Sequence, residues 1–590
     1  MKTLLVSLPW SDYQYPSIQI GLLAACAREN GFDVDARHLH LEVAALFGVN
    51  DFNEIICSRS FIKEPFFSIL LFPEKKENIL RYLKKYINNP QSYLKRLSNA
   101  VHEVYEGIDW GRYSLVGFTL NFDQLFSSLL FASWLKRDFP NLKVVFGGPL
   151  VFGKLGISLL DCFPQVDWCV DGEGEIAFIK LLEYLSKSAD GFESNVPGLI
   201  YRRENKVFIN TRQQLKKLDS LPDPDFDHYF YLLDNHPNLR NKEFITFLPI
   251  ECSRGCPHRC AFCNVRTYWD GYRVRPPLEV SMQIQRQSEH YRTTNYLFVD
   301  NNIPIKCISE LFNSVKRQGR DYRIFLELRA CPSKQQIEEL KRAGVWMVQI
   351  GVEALSTDLL NKMNKGTRFI DNLQAMKFCE EVGIEHSSNL ITNFPNESQR
   401  DIDDSVKNIE FASTYRPPET ITKFQLRGCS TVDVNPWRYG LMKVDEATPD
   451  YRRLFPKSIA KKIILTEKQY ALKRKSNGYR VFMKRYNRWR REYEEALLDN
   501  QKLLSYYDCQ KFLRIEDYRS GLRAITLEGY ARELYLLCDS ICCFVEIKKC
   551  FPDWDEKEIK IILNRLVKLK VMYHEGNDYL SLAIRANGPK

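Results

Sequence analysis

The sequence predicts an α/β protein built from two successive parallel sheets, an open doubly wound one and then a partial barrel of six strands. Three observations carry this. Short apolar runs alternate with amphipathic helical stretches through roughly the first 190 residues. The alternation resumes after the Pro- and Asp-rich stretch "LPDPDFDHY", and it stops near Pro449. Strands alternating with helices make parallel sheets with helices on their faces. At 590 residues the chain exceeds what one core serves, so several domains are expected.

The first strand is "TLLVSLP" (residues 3–9), followed by the helix "QIGLLAACARENG", which Gly31 closes, and the strand "DVDARHLH". Residues 52–104 are too long for a loop and hold helical runs such as "KENILRYLKKYINN", so they read as a helical insertion. "SLVGFTL", "DQLFSSLLFASWLKRDFP", "KVVFGGP", "VDWCVDGEGE" and "IAFIKLLEYLSK" complete a first domain over residues 1–215. Residues 216–243 read as a linker. The second series, residues 244–448, has strands "FITFLPI", "NYLFVD", "RIFLELRA", "VWMVQIGV", "IEHSSNLITN" and "TITKFQLRG". Residues 449–590 read as charged helices ending in a winged-helix-like unit, with "VMYHEGNDYLSLAI" as an exposed hairpin turning at "EGND".

Composition bounds the function. Seventeen cysteines without framework spacing suit a reducing, cytoplasmic setting. No run approaches the roughly 20 apolar residues of a membrane span. Much of the +10 net charge lies in "KRKSNGYRVFMKRYNRWRREYEE" (residues 473–495), where Tyr479, Tyr486 and Trp489 interleave with arginines. A nucleic-acid stripe is the less favoured reading, against a solvated helix face or a dock for an acidic peptide, because the rest of the chain shows no basic concentration.

"ECSRGCPHRCAFCNVR" carries the chemistry. Cys256, Cys260 and Cys263 are spaced C-x3-C-x2-C directly after the first strand of the second series, where catalytic loops of such barrels sit. A structural zinc site takes four ligands, commonly as two pairs, and no partner pair follows. Three thiolates on a four-iron cluster leave one iron without a protein ligand. Cys252, back at the strand end, reads as a packed thiol.

This segment resembles the cluster loop of the radical S-adenosylmethionine enzymes, with Phe262 at the usual aromatic position. The resemblance implies a 4Fe-4S cluster on Cys256, Cys260 and Cys263, with its free iron chelated by S-adenosylmethionine. It implies that Glu353, in "QIGVEALS", holds the ribose hydroxyls, and that Arg329 and Asp300 at strand ends face the same cofactor; both also have ordinary salt-bridge readings. "NFPNES" resembles the family's Gly-Phe-Pro-Gly-Glu turn, with asparagines at both glycine positions.

The first domain resembles the cobalamin-binding domain of the cobalamin-dependent (class B) subclass through "VGFTLNFDQ", "VFGGP" and "VDGEGE". The implied cobalamin contacts are Thr119, Asn121, Gly147, Gly148, Pro149, Gly172, Glu173 and Gly174. Glycines at strand ends allow close approach of a flat cofactor. The Asp-x-His-x-x-Gly signature is absent; Asp234–His236 lies in the linker without the glycine, so no histidine is expected below the cobalt.

Further stretches, "VSLPWSDYQYPSIQIGLLAA", "LRGCSTVDVNPWRYG" and "EGNDYLSLAI", resemble the C-methyltransferases that mature ribosomally synthesised peptides, although the group's longer insertion between its first two cluster cysteines is absent. The resemblance implies methylation of an unactivated carbon through a 5′-deoxyadenosyl radical and methylcobalamin. It also implies a peptide or small-molecule substrate, with a precursor leader gripped by the terminal unit or that unit serving as a cap, and a flavodoxin- or ferredoxin-type electron donor. The alternative is a radical enzyme with a vestigial cobalamin domain that epimerises, cross-links or rearranges its substrate.

Overall fold

In the computed structural model, residues 1–187, 192–240, 245–329, 332–472 and 478–586 are described. Phe244, linker residues 241–243, Ala330 and the start of the basic stretch (473–477) fall outside them.

The first sheet has seven strands. Asp33–Arg37, Lys2–Val6, Leu115–Thr119, Lys143–Gly147 and Trp168–Val170 run parallel in that spatial order. Leu199–Arg203 and Lys206–Ile209 then add an antiparallel edge that the alternation did not reveal. Leu115–Thr119 is buried along its whole length, as a central strand covered on both faces must be. The expected insertion is helical: Val49–Cys57, Lys63–Leu71, Lys76–Leu83 and Pro90–Glu106.

The second sheet holds six parallel strands in sequential order: Leu248–Ile250, Asn295–Phe298, Arg323–Leu328, Val345–Glu353, Glu385–Thr392 and Thr420–Lys423. Burial alternates along Arg323–Leu328: Ile324, Leu326 and Leu328 pack into the core, and Phe325 and Glu327 face the other way. That period of two separates the structural face from the face that can bind ligand.

The C-terminal region departs most from expectation. Among its described residues the longest helix is Tyr479–Leu498, and strands make up much of the rest. Leu504–Asp508, Phe512–Asp517 and Arg523–Glu528 form an antiparallel meander. Nor does this region stand apart. Leu454, Phe455, Ile463 and Leu465 complete the core of the first domain, whereas Phe482, Trp489, Leu534 and Leu580 share the barrel's core. Tyr486 and Trp489 are the buried face of the basic helix, with Trp489 Nε1 donating to Tyr415 O at 2.8 Å. The aromatics therefore pack rather than present a stacking surface.

The terminal elements are helices Gly529–Leu537, Phe544–Cys550 and Glu556–Lys568 and the hairpin Met572–Glu575 with Asp578–Ser581. The expected exposed hairpin is instead packed on the barrel, with Met572, Tyr573, Leu580 and Ser581 buried. Glu575 accepts from Ile370 N at 3.0 Å and from Thr357 Oγ1, and Asp578 pairs with Arg368.

Candidate active site

The chain leaves the first barrel strand under tight control. Cys252 is fully buried beside Asp300 and Cys307, and burial pushes its thiol well up. Asp300 accepts from Cys252 N at 2.9 Å and from Ser253 Oγ at 2.6 Å. Asp300, expected to face the cofactor, is thus an anchor of the loop's root; burial raises its carboxyl to about 7. Gly255 adopts φ +87°, and a Cβ there would lie 2.2 Å from Gly271 O. Only glycine fits this crossing.

Cys256, Cys260 and Cys263 follow on one half-buried loop. Main-chain bonds hold it: Ala261 N donates to Met363 O (2.7 Å), Val432 N to Ala261 O (3.1 Å), and Cys263 N to Cys260 O (3.2 Å). Burial raises the Cys260 and Cys263 thiols, Cys263 to about 11, while Lys365 opposes both shifts. Ligation deprotonates such thiols. Among the described residues no three His, Cys, Asp or Glu side chains converge on a single-ion position. A four-iron cluster spreads its thiolates over separate irons, so this donor set fits it: three half-buried thiols on one loop, the fourth turned into the core.

Beside the loop the barrel gathers four charged groups. Glu353 ends its strand at φ +60°, after a register shift between Ile350 and Glu353. Its Oε1 lies 3.1 Å from Lys365 Nζ, and the ammonium sits 6.0 Å from the centre of the Phe262 ring. Burial raises the Glu327 carboxyl to about 6, and the Glu353 charge adds to this. Arg329 reaches Gly366, where a Cβ would meet its Nη2 at 2.9 Å. Burial, then Arg329 and Lys365, depresses His258 to about 4. Phe262, Arg329 and Glu353 are therefore brought together as expected. Glu327 and Lys365 were missed, although strand alternation places Glu327 two residues before Arg329 on the same face. In "NFPNES", Asn393 and Asn396 have φ +57° and +66°. Asparagine is the side chain that best tolerates this region, so the turn survives the loss of both glycines.

The first sheet presents its own strand ends. Thr119 Oγ1 is buried without a partner, Gly147 has open space where a Cβ would project, and Gly148 at φ +103° crosses Leu120 so closely that a Cβ there would lie 2.7 Å from its carbonyl oxygen. Pro149 starts the turn that follows, and Asn121 N is tied to Gln124 Oε1 at 2.9 Å. An orphaned hydroxyl beside a side-chain-free edge fits a flat, hydrogen-bonding cofactor such as cobalamin. Glu173 and Gly174 sit differently. Glu173 is buried, accepts from Leu215 N at 3.0 Å and pairs with Arg273. Gly174 packs on Leu23, and Gly172 lies against Arg212. Asp234 pairs with Arg240 at 2.7 Å.

The two domains meet. Arg254 binds Glu175 (2.7 Å) and Glu173 (3.5 Å) across the domain boundary, and Glu251 (2.8 Å) on its own side of it. Phe152, in the turn after strand Lys143–Gly147 of the first domain, stands edge-on to Tyr268 at 5.3 Å, and Arg427 lies 5.6 Å from the Phe122 ring centre. Beside them opens a cleft of about 530 Å³ lined by Arg59, Lys63, Asp123, Leu426, Glu467 and Tyr470, among others.

Residues 250–409 match the family model described as the Radical SAM superfamily. The chain carries a radical SAM domain. Curated relatives of the chain include an uncharacterized methyltransferase of Pyrococcus horikoshii, 25% identical over 301 residues, 50% of this chain and 63% of the relative. An anaerobic magnesium-protoporphyrin IX monomethyl ester cyclase of Synechocystis is 26% identical over 49% of this chain and 59% of its own. The hopanoid C-3 methylase of Methylococcus capsulatus is 28% identical over 40% and 44%. The matches thus span 44–63% of these relatives' lengths. Among solved structures, the radical S-adenosylmethionine methyltransferase TsrM of Kitasatospora setae, with cobalamin and a [4Fe-4S] cluster bound, superposes with a TM-score of 0.54 at 16% identity, covering 81% of this chain and 89% of its own. The cobalamin-dependent S-adenosylmethionine radical enzyme OxsB gives 0.51 at 15% identity, covering 96% and 71%. At these identities the likeness is one of fold. No helix among the described residues is long and apolar enough to cross a membrane.

Proposed function

We propose that this chain is a cobalamin-dependent radical S-adenosylmethionine methyltransferase acting on an unactivated carbon of a peptide or natural-product substrate. The observation that carries the reading is one chain holding two prepared features, the half-buried Cys256–Cys260–Cys263 loop on the barrel and the Thr119–Gly147–Gly148 edge of the first sheet, in domains joined by Arg254–Glu175 and Phe152–Tyr268. The cluster, S-adenosylmethionine and cobalamin, when bound, supply the radical and methyl-transfer chemistry; the protein orients them and excludes water.

The three cysteines would hold the cluster. Glu353, held by Lys365, would accept from hydroxyls of the nucleoside, Phe262 would pack beside it, and Arg329 would supply positive charge on the same face. Thr119 and Asn121 would bond the corrinoid, with Gly147 leaving room for it, Gly148 and Gly172 letting the strand-end loops pass close to Leu120 and Arg212, and Pro149 shaping the edge. Substrate would enter by the cleft between Lys63, Asp123 and Tyr470, whose paired charges and aromatic rings suit a polar molecule with an apolar part. An electron donor of flavodoxin or ferredoxin type would reduce the cluster.

The terminal unit, winged-helix-like in element order, reads as a cap on the barrel. If a leader peptide pairs with this region, the open edge is Arg523–Glu528, where four of six residues are exposed, and not the packed hairpin. Titrating the purified chain with hydroxocobalamin tests the functional reading. Uptake near one per chain supports it, and no uptake moves the protein to the vestigial-domain alternative.

A further inference from the structure

We propose that Arg254 is a positioning residue that couples the cobalamin face to the cluster loop, so that occupancy of either site changes affinity at the other. This rests on the functional reading above. The segment "DGEGE" (residues 171–175) alternates acids with glycines, and each acid leads toward the barrel. Asp171 binds Arg212 at 3.0 Å, and Arg212 donates to Thr267 O at 3.0 Å, four residues beyond Cys263. Glu173 binds Arg254 and Arg273; Glu175 binds Arg254. Arg254 is 4% exposed and stands two residues before Cys256.

The consequence is mechanical. Gly172, between two of these acids, belongs to the strand-end loop bordering the cobalamin face. The loop cannot shift without moving Arg254, or leaving buried carboxylates unpaired, which is strongly disfavoured. Gly255, pinned against Gly271, passes any movement of Arg254 into the cysteine loop. A ligand that fixes one side therefore narrows the conformations open to the other. Such coupling is reciprocal and typically changes affinity by about 5- to 150-fold.

The test is the hydroxocobalamin dissociation constant, read by absorbance, for the full chain with its cluster reconstituted and for the cluster-free chain. The native protein should bind at least about fivefold tighter when loaded. Arg254→Lys, which keeps the charge but loses the guanidinium fork, and Glu175→Gln should each bring that ratio toward one. The double variant should add little to either, because the two residues act as one unit. Melting temperature and iron content are measured alongside. A merely structural role would lower the melting temperature and leave the ratio untouched, and that result overturns the proposal. So does a native ratio of one. If the native chain binds no hydroxocobalamin in either state, the functional reading itself fails.

Discussion

Glu353 Oε1 lies 3.1 Å from Lys365 Nζ, at a strand end where the glutamate holds φ +60°. Strained backbone of this kind persists only where its surroundings over-determine it. Gly351 is part of that surrounding, since a Cβ there would fall 2.6 Å from the ammonium. Glu353→Gln should weaken S-adenosylmethionine binding to the cluster-loaded chain by about tenfold, or ~1.4 kcal/mol. Lys365→Met should weaken it too, by leaving Glu353 unpaired. Calorimetric titration measures both, and native affinity in Glu353→Gln would remove the glutamate from the cofactor site.

The cysteine loop makes a sharper division. Alanine at Cys256, Cys260 or Cys263 should abolish cluster loading and reductive cleavage of S-adenosylmethionine. Cys252→Ala should retain most iron, because its thiol is in the core beside Asp300. Iron analysis of the four reconstituted variants decides, and equal loss from Cys252→Ala would refute the three-ligand assignment.

How much of this was legible beforehand follows from what each residue answers to. The cysteine loop and both sheets were readable because spacing and alternation are local properties. Asp300 was misplaced because a strand-end acid has the same signature whether it faces a ligand or ties down the next loop. Glu173 was misplaced because its partners, Arg254 and Arg273, lie 81 and 100 residues away in sequence, and no local pattern encodes them. The C-terminal strands were hidden by their charge. "KFLRIED" and "RAITLE" alternate only weakly, and antiparallel pairing stabilises them all the same.

The terminal unit should not be separable from the barrel. Lys377 is buried on a barrel helix, and its Nζ donates to Asp539 Oδ1 and Asp539 O, both at 2.7 Å. Asp539→Ala leaves a buried ammonium short of its counter-ion and should cost about 3–5 kcal/mol. Denaturant unfolding followed by iron release checks this. Unchanged stability would mean the unit folds on its own.

Acid should loosen the first domain. His38 and His40 are fully buried, and His228 packs on His38 at 6.2 Å between ring centres. Burial depresses all three, His40 and His228 to about 4. With the folded values below the ordinary 6.5, the neutral forms are favoured by folding. Stability is therefore fully present above about pH 6.5 and is lost as pH falls toward 4. The Asp35 charge, which favours protonated His228, offsets part of that loss. Melting temperature against pH should show this slope, and His40→Gln should flatten it; a slope unchanged in that variant would assign acid lability elsewhere.

The central claim is that one chain uses both a radical-generating cluster and cobalamin. The measurement that tests it most directly is a product analysis of the anaerobically reconstituted, cobalamin-loaded protein given S-adenosylmethionine, a strong reductant and hydroxocobalamin. The account predicts about one four-iron cluster and one cobalamin per chain, with both 5′-deoxyadenosine and S-adenosylhomocysteine formed, the first from radical cleavage and the second from methyl transfer. Formation of 5′-deoxyadenosine alone, by a chain that takes up no cobalamin, would contradict it.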